Sequence, residues 1–284
     1  MFDINNERAR QVAQGIQIPA KPELLNQLHD EQRQSSPNLN TIADIISTDV
    51  ALSANILKAI NSPLFGLSRT ITDIQQSVML LGLQNVMNLV TYYEMRNLIA
   101  GDACISLERF WDTAVETARM MVTTLKELNL KRDCPGEDAY ALGMFHDCGL
   151  AMMAMRFKDY KETLMDANAS DNKTITAIEE DRHGTNHTIV GYYVANSWNL
   201  PKHICELVLR HHEENLLDDT SLADSQKDLY GILKIADNIL RNHRRGHEYN
   251  RWDQLQEKVL FHFGLSEDDY RELEADIVDG FEQS

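Results

Sequence analysis

Apolar residues recur at three- and four-residue steps along most of the chain. In LNTIADIISTDVALSANILKAINSPLFG (39–66) the stripe runs through Ile42, Ile45 and Ile46, then Leu52, Ile56 and Ile60. That period belongs to helices laid on a core. Asn40 and Asp49 stand where N-caps are expected. Asn61, Ser62 and Pro63 close the second helix, since proline removes a donor and disfavours helix just before it; Gly66 serves as the turn. TDIQQSVMLLG (72–82) opens with a capping-box spacing, Thr72 to Gln75. Gly82 separates it from LQNVMNLVTYYEMRNLI.

The pattern pauses at AGDACIS (100–106), which predicts a junction between two helical lobes, residues 1–103 and 104–284. RFWDTAVETARMMVTTLKEL resumes as a long helix. RDCPGED (132–138) reads as a loop broken by Pro135 and Gly136. ALGMFHDCGLAMM (141–153) places His146 beside Asp147 inside an apolar, helix-like segment. Residues 159–201 read as two or three helices with ASDNK as a linker. KHICELVLRHHEE, LADSQKDLYGILKIADNILRN and the acidic segment from 252 onward continue the helical pattern. No alternating strand, fixed-period repeat or low-complexity tract interrupts it. The fold class is all-α.

Composition narrows the class. The 284 residues are 43% hydrophobic and 25% charged, enough for a sizeable core. The net charge of -17 sets a field that repels phosphate backbones and anionic lipid, so neither nucleic acid nor membrane is expected as a partner. The one dense basic run, RNHRRGH (241–247), reads as a solvated helix end. Cys104, Cys134, Cys148 and Cys205 have no C-x-x-C spacing and read as free thiols. MFDINNERARQ has no apolar signal core, and no stretch of about 18 apolar residues occurs. A cytoplasmic protein is the expectation.

The chemistry-bearing residues gather in the second half: His146, Asp147, His183, His187, His203, His211, His212 and Asp237. Imidazole and carboxylate ligands suit manganese, iron or zinc, which activate water for phosphoester hydrolysis. No compact ligand motif such as H-E-x-x-H is present. Neighbours on a helix point about 100° apart, so His146 and Asp147 share a metal only if it lies between those directions. His183 and His203, near helix ends, read as structural. The methionine runs (Met120, Met121, Met152, Met153, Met155) read as core.

Four stretches in order make the chain resemble the HDOD family, a branch of the HD superfamily related to the HD-GYP phosphodiesterases. They are IPAKPELL (18–25), ISTDVALSANILKAINSPLFGL with its N-S-x-x-F-G turn, SVMLLGLQNVMNLV, and GMFHDCGLAMM. The likeness runs from about residue 16 to residue 214, and ILKIADNIL beyond it is similar to the last helix of the HD fold. The resemblance implies an N-terminal helical lobe packed on an HD-like helical lobe. It also implies a ligand set: His146, Asp147, His187, His211, His212 and Asp237.

Three departures weaken catalysis. Thr113 stands where active relatives carry the first histidine. Leu150 stands where HD-GYP enzymes carry a lysine that positions phosphate and water. ENLLDDTS replaces their D-G-x-G-Y-P loop. The resemblance therefore implies a stand-alone, non-catalytic regulatory module of bacterial signalling that works through a protein partner. Its expected metal is at most a residual divalent ion, manganese, iron or zinc. The alternative is a metal-dependent phosphohydrolase or phosphodiesterase with an incomplete shell. A receptor for a nucleotide second messenger would need a cation at the pocket, and Arg210 is the candidate.

Overall fold

Each predicted helix has a local cause visible in the computed structural model, which describes residues 15–62, 67, 69–130, 134–170, 172–245 and 252–282. The expected stop at Pro63 and Gly66, the N-terminal MFDINNERARQ and the end of the basic run at 246–247 lie outside the described residues. Among the described residues every regular element is helical. None of these helices is long and apolar enough to cross a membrane. All four cysteines are free thiols.

The chain divides into two compact units. The first, Pro19–Ala100, holds α1 (Glu23–Gln32), α2 (Leu39–Ser47), α3 (Val50–Ile60), α4 (Ile74–Leu81) and α5 (Leu83–Leu98). The stripe of Ile42, Ile46, Leu52, Ile56 and Ile60 is buried together with Leu25, Leu28, Val78, Val86 and Val90. Burying each such side chain contributes roughly 1.5–3 kcal/mol, which outweighs the weak intrinsic stability of helices this short.

Asp49 caps α3 as expected, its carboxylate accepting from Leu52 N–H at 2.9 Å. Two expected caps fall elsewhere. Asn38, not Asn40, caps α2, because its extended backbone lets the side chain accept from the N–H groups of Asn40 and Thr41. Asp73, not Thr72, caps α4; it accepts from Gln76 N–H at 2.7 Å, and the Gln76 side-chain amide donates to the same carboxylate. The cap falls one residue later than the sequence spacing predicts.

The second unit, Gly101–Phe281, contains α6 (Leu107–Leu128), α7 (Gly136–Phe145), α8 (Cys148–Arg156), α9 (Tyr160–Asn168), α10 (Ile175–His183), α11 (His187–Ser197), α12 (Lys202–Arg210), α13 (Asp224–Arg245), α14 (Trp252–Phe263) and α15 (Glu267–Glu282). Gly136, expected in a loop, opens α7 behind Pro135, whose fixed φ suits that position. Long α6 packs on α7 and α13, and α11 packs on α8 and α12.

Two glycines set how closely these helices approach. A Cβ on Gly143 of α7 would overlap the backbone of Ala118 in α6. A Cβ on Gly149 of α8 would overlap the His187 carbonyl and lie 2.6 Å from Gly191 N in α11. Both glycines flank the His146–Asp147 doublet, three residues before it and two after.

Candidate metal centre

The doublet is not inside one helix. α7 ends at Phe145 and α8 begins at Cys148, with His146 still helical (φ -53, ψ -37) and Asp147 turned out of the helix (φ -102, ψ 10). That break brings the two side chains together: His146 Nε2 lies 3.2 Å from Asp147 Oδ2. His187 enters at the first turn of α11, pressed against Gly149, with its Nε2 3.5 Å from Asp147 Oδ1. His211 follows the last turn of α12, with its Nε2 3.2 Å from Asp147 Oδ1. His212 lies beside it, ring centroids 4.2 Å apart and planes tilted by 44°. Asp147, His187, His211 and His212 each offer one ligand atom, and those atoms all lie within 4.8 Å of one another.

The outer edges of three imidazoles fix their tautomers. His146 Nδ1 faces the Gly143 carbonyl at 3.0 Å and His211 Nδ1 faces the Val208 carbonyl at 2.8 Å. A carbonyl only accepts, so each Nδ1 carries the proton, and in the neutral ring the Nε2 lone pair faces inward. His187 Nδ1 donates to Glu179 Oε2 at 2.7 Å, and the His187 backbone N–H donates to the same oxygen at 3.1 Å. Tyr160 donates its hydroxyl to the other Glu179 oxygen. Glu179 and His187 are both fully buried.

Inside this ring of acceptors, Asp147 Oδ1 is buried and takes no hydrogen bond, although two imidazole nitrogens lie within 3.5 Å. His187 Nε2 and His211 Nε2 face each other at 3.4 Å, lone pair to lone pair when both rings are neutral. Such a pocket repels itself unless a positive charge occupies it. Nitrogen and oxygen ligands held about 2.0–2.2 Å from one divalent cation lie roughly 3.0–3.5 Å from each other. The separations among Asp147, His187 and His211 are of that size, and His212 lies within 4.8 Å of all three, so the donor set fits a divalent cation.

Electrostatics agree with the geometry. Burial would raise the Asp147 pKa, yet His146 and His211 outweigh it and hold the carboxyl well below its usual range. Burial lowers His211 to about 4, and burial plus the neighbouring rings pushes His212 well down. Both rings are neutral at pH 7, as a ligand must be. For His146 and His187 burial also works downward, but Asp147 and Glu179 respectively turn the net shift upward.

The centre opens on a cavity of about 1700 Å³, walled in part by Thr113, Leu150, Lys234 and Asp237. Thr113 sits on α6 and spends its hydroxyl on the Arg109 carbonyl, 2.9 Å away. Asp237 shares the cavity but stands outside the converging group, and its Oδ1 is paired with Arg241 Nε at 3.0 Å. Burial works against its ionisation; Arg241, then Lys234, outweigh that and keep its pKa low.

The HDOD domain model matches residues 18–214. The chain belongs to the HDOD domain family. Among solved structures it is similar over 99% of its length to an HDOD domain protein of unknown function from Geobacter sulfurreducens, with a TM-score of 0.72, 20% identity and 96% of that chain covered. A Shewanella amazonensis protein provisionally named a phosphohydrolase matches with a TM-score of 0.71 at 19% identity, over 99% of this chain and 98% of its own. At such identities the likeness establishes the fold. An uncharacterised protein of Treponema pallidum is 24% identical over 195 residues, 69% of this chain. The YuxH protein of Bacillus subtilis, also uncharacterised, is 38% identical over 76 residues, 27% of this chain. This HDOD chain spans only 37% and 18% of the lengths of those two relatives.

The two histidines expected to be structural lie outside the centre, each beside a polar side chain. His203 Nε2 lies 2.8 Å from Asp138, and His183 bonds to the Thr163 hydroxyl at 2.9 Å while stacking on Phe157. Arg210, expected as a pocket cation, is instead committed to Glu206, Glu213 and Asp219. Three site residues escape the sequence reading. Glu179 and Tyr160 lie eight and 27 residues before His187 and carry no spacing signal. Lys234 had one: it precedes Asp237 by three residues, so both fall on one helix face.

Proposed function

We propose that this HDOD domain is a regulatory module of bacterial signalling built around a buried divalent-metal centre, with protein surfaces as its output. The observation that carries the metal is Asp147 Oδ1, buried without a hydrogen-bond donor among inward-facing imidazole nitrogens. Asp147, His187, His211 and His212 would hold the ion, with His146 against Asp147. Glu179 orients His187, and the Gly143 and Val208 carbonyls orient His146 and His211. Manganese, iron or zinc in that set would supply a Lewis acid toward a phosphate oxygen.

The regulatory reading rests on what surrounds the centre. Leu150 offers the cavity an apolar wall, and the Thr113 hydroxyl is engaged with its own helix. Neither supplies the ligand or the cation that the active relatives use. The phosphohydrolase reading is favoured by one observation, the open cavity over neutral imidazoles.

Metal analysis of protein purified without chelator tests the centre, with about one divalent ion per chain expected. Turnover of bis-p-nitrophenyl phosphate separates the two readings. Background rates in the metal-loaded protein are expected. Turnover that disappears with Asp147→Ala would establish the hydrolase instead.

A further inference from the structure

Lys234 is 97% withdrawn from solvent, on α13, in the wall of the cavity that contains the Asp147–histidine group. Among the described residues no hydrogen bond or ion pair holds its ammonium; the Tyr230 ring lies 5.2 Å from Nζ to centroid, and Asp237, Asp147 and Glu214 act on it only through space. A buried ammonium with no directly bonded acceptor is costly, so its position calls for an anion. The nearest acid on its own face, Asp237, is already paired with Arg241. Asp147 faces the imidazoles. The ammonium therefore retains unspent donors next to the centre.

We propose that Lys234 makes this cavity a site for a phosphate-bearing small molecule, its ammonium binding one phosphate oxygen while the metal centre binds another. Lys234 thus takes, from α13, the place that Leu150 cannot fill from α8. This rests on the reading of the Asp147 group as a cation site. Hard oxygen donors are what a manganese, iron or zinc centre and an ammonium bind in common. The cavity exceeds the roughly 300–1,000 Å³ typical of small-ligand pockets, so a nucleotide fits as readily as a simple phosphomonoester. The burial that isolates Lys234 also lowers its pKa to about 8, which leaves it charged at neutral pH.

The test is calorimetric titration of inorganic phosphate into the full chain, manganese-loaded and chelator-treated, as wild type, Lys234→Met and Lys234→Arg. Metal content and melting temperature are measured on each. Wild type is expected to bind one phosphate saturably. Lys234→Met should weaken that at least about tenfold with metal content unchanged, and Lys234→Arg should recover most of it. Lys234→Met should also melt at the same temperature or higher, because a buried unpaired charge is removed; a purely structural lysine would give the opposite. Phosphate binding by Lys234→Met equal to wild type, no saturable binding by wild type, or an equal heat from chloride would overturn the proposal. Phosphate binding that depends on Lys234 in protein unable to hold metal would leave the lysine site standing and remove only the metal centre.

Discussion

Asp147 is where the chemistry of this molecule concentrates. Its carboxylate meets three imidazoles by their Nε2 atoms, and each of those rings is oriented by an acceptor on its far side. For His187 that acceptor is a charged group, and it is itself held by Tyr160, so a chain of three buried residues ends at the centre. Replacing Glu179 with glutamine removes the charge and one acceptor while keeping the volume. Manganese affinity should fall about 10- to 100-fold, read by competition with a fluorescent chelator. Unchanged affinity would make Glu179 an ordinary buried residue. Arg210 shows the opposite case. Adjacent in sequence to His211, it turns away toward three carboxylates, because the last residue of α12 and the one after it face different directions.

At the scale of elements, the centre depends on two close helix approaches and one helix break. Gly149 lets α8 touch the first turn of α11, and that contact sets the distance between Asp147 and His187. In Gly149→Ala the new methyl group would meet backbone, which cannot rotate away. A loss of about 3 kcal/mol in urea unfolding is expected, together with weakened metal retention. A variant as stable as wild type would show that α8 and α11 can separate at no cost. The break between α7 and α8 matters equally. In a continuous helix His146 and Asp147 would diverge by about 100°; with Asp147 turned out, they meet.

For the molecule as a whole, the proposed ligands come from residues 147, 187, 211 and 212, which only folding brings together. An ion bound there stabilises the folded chain alone, by about 2.7 kcal/mol at a free concentration of 100 times Kd. EDTA should therefore lower the melting temperature by about 5 °C or more, and added manganese should restore it. Asp147→Asn should respond to neither. Insensitivity of the wild type to EDTA would remove the metal centre. The net charge of -17 acts at this scale too. It repels extended polyanions, while a small phosphate reaching Lys234 meets a local charge the total conceals.

The sequence by itself determined the helical class, most helix positions and the family, because apolar period, glycine and proline breaks and ordered motifs are local properties of the chain. It also named the residues that meet around Asp147. The caps at Asn38 and Asp73 were one or two residues off, since which side chain reaches a free N–H depends on the backbone entering the helix. Only the tertiary structure decided which polar residues face one another. It brought Glu179 and Tyr160 behind His187, set Asp237 apart with Arg241, and placed Lys234 rather than Arg210 at the cavity. Most of those outcomes follow from how separate helices pack, where distance is fixed by the packing and not by spacing along the chain; the Asp237–Arg241 pair alone is local to one helix.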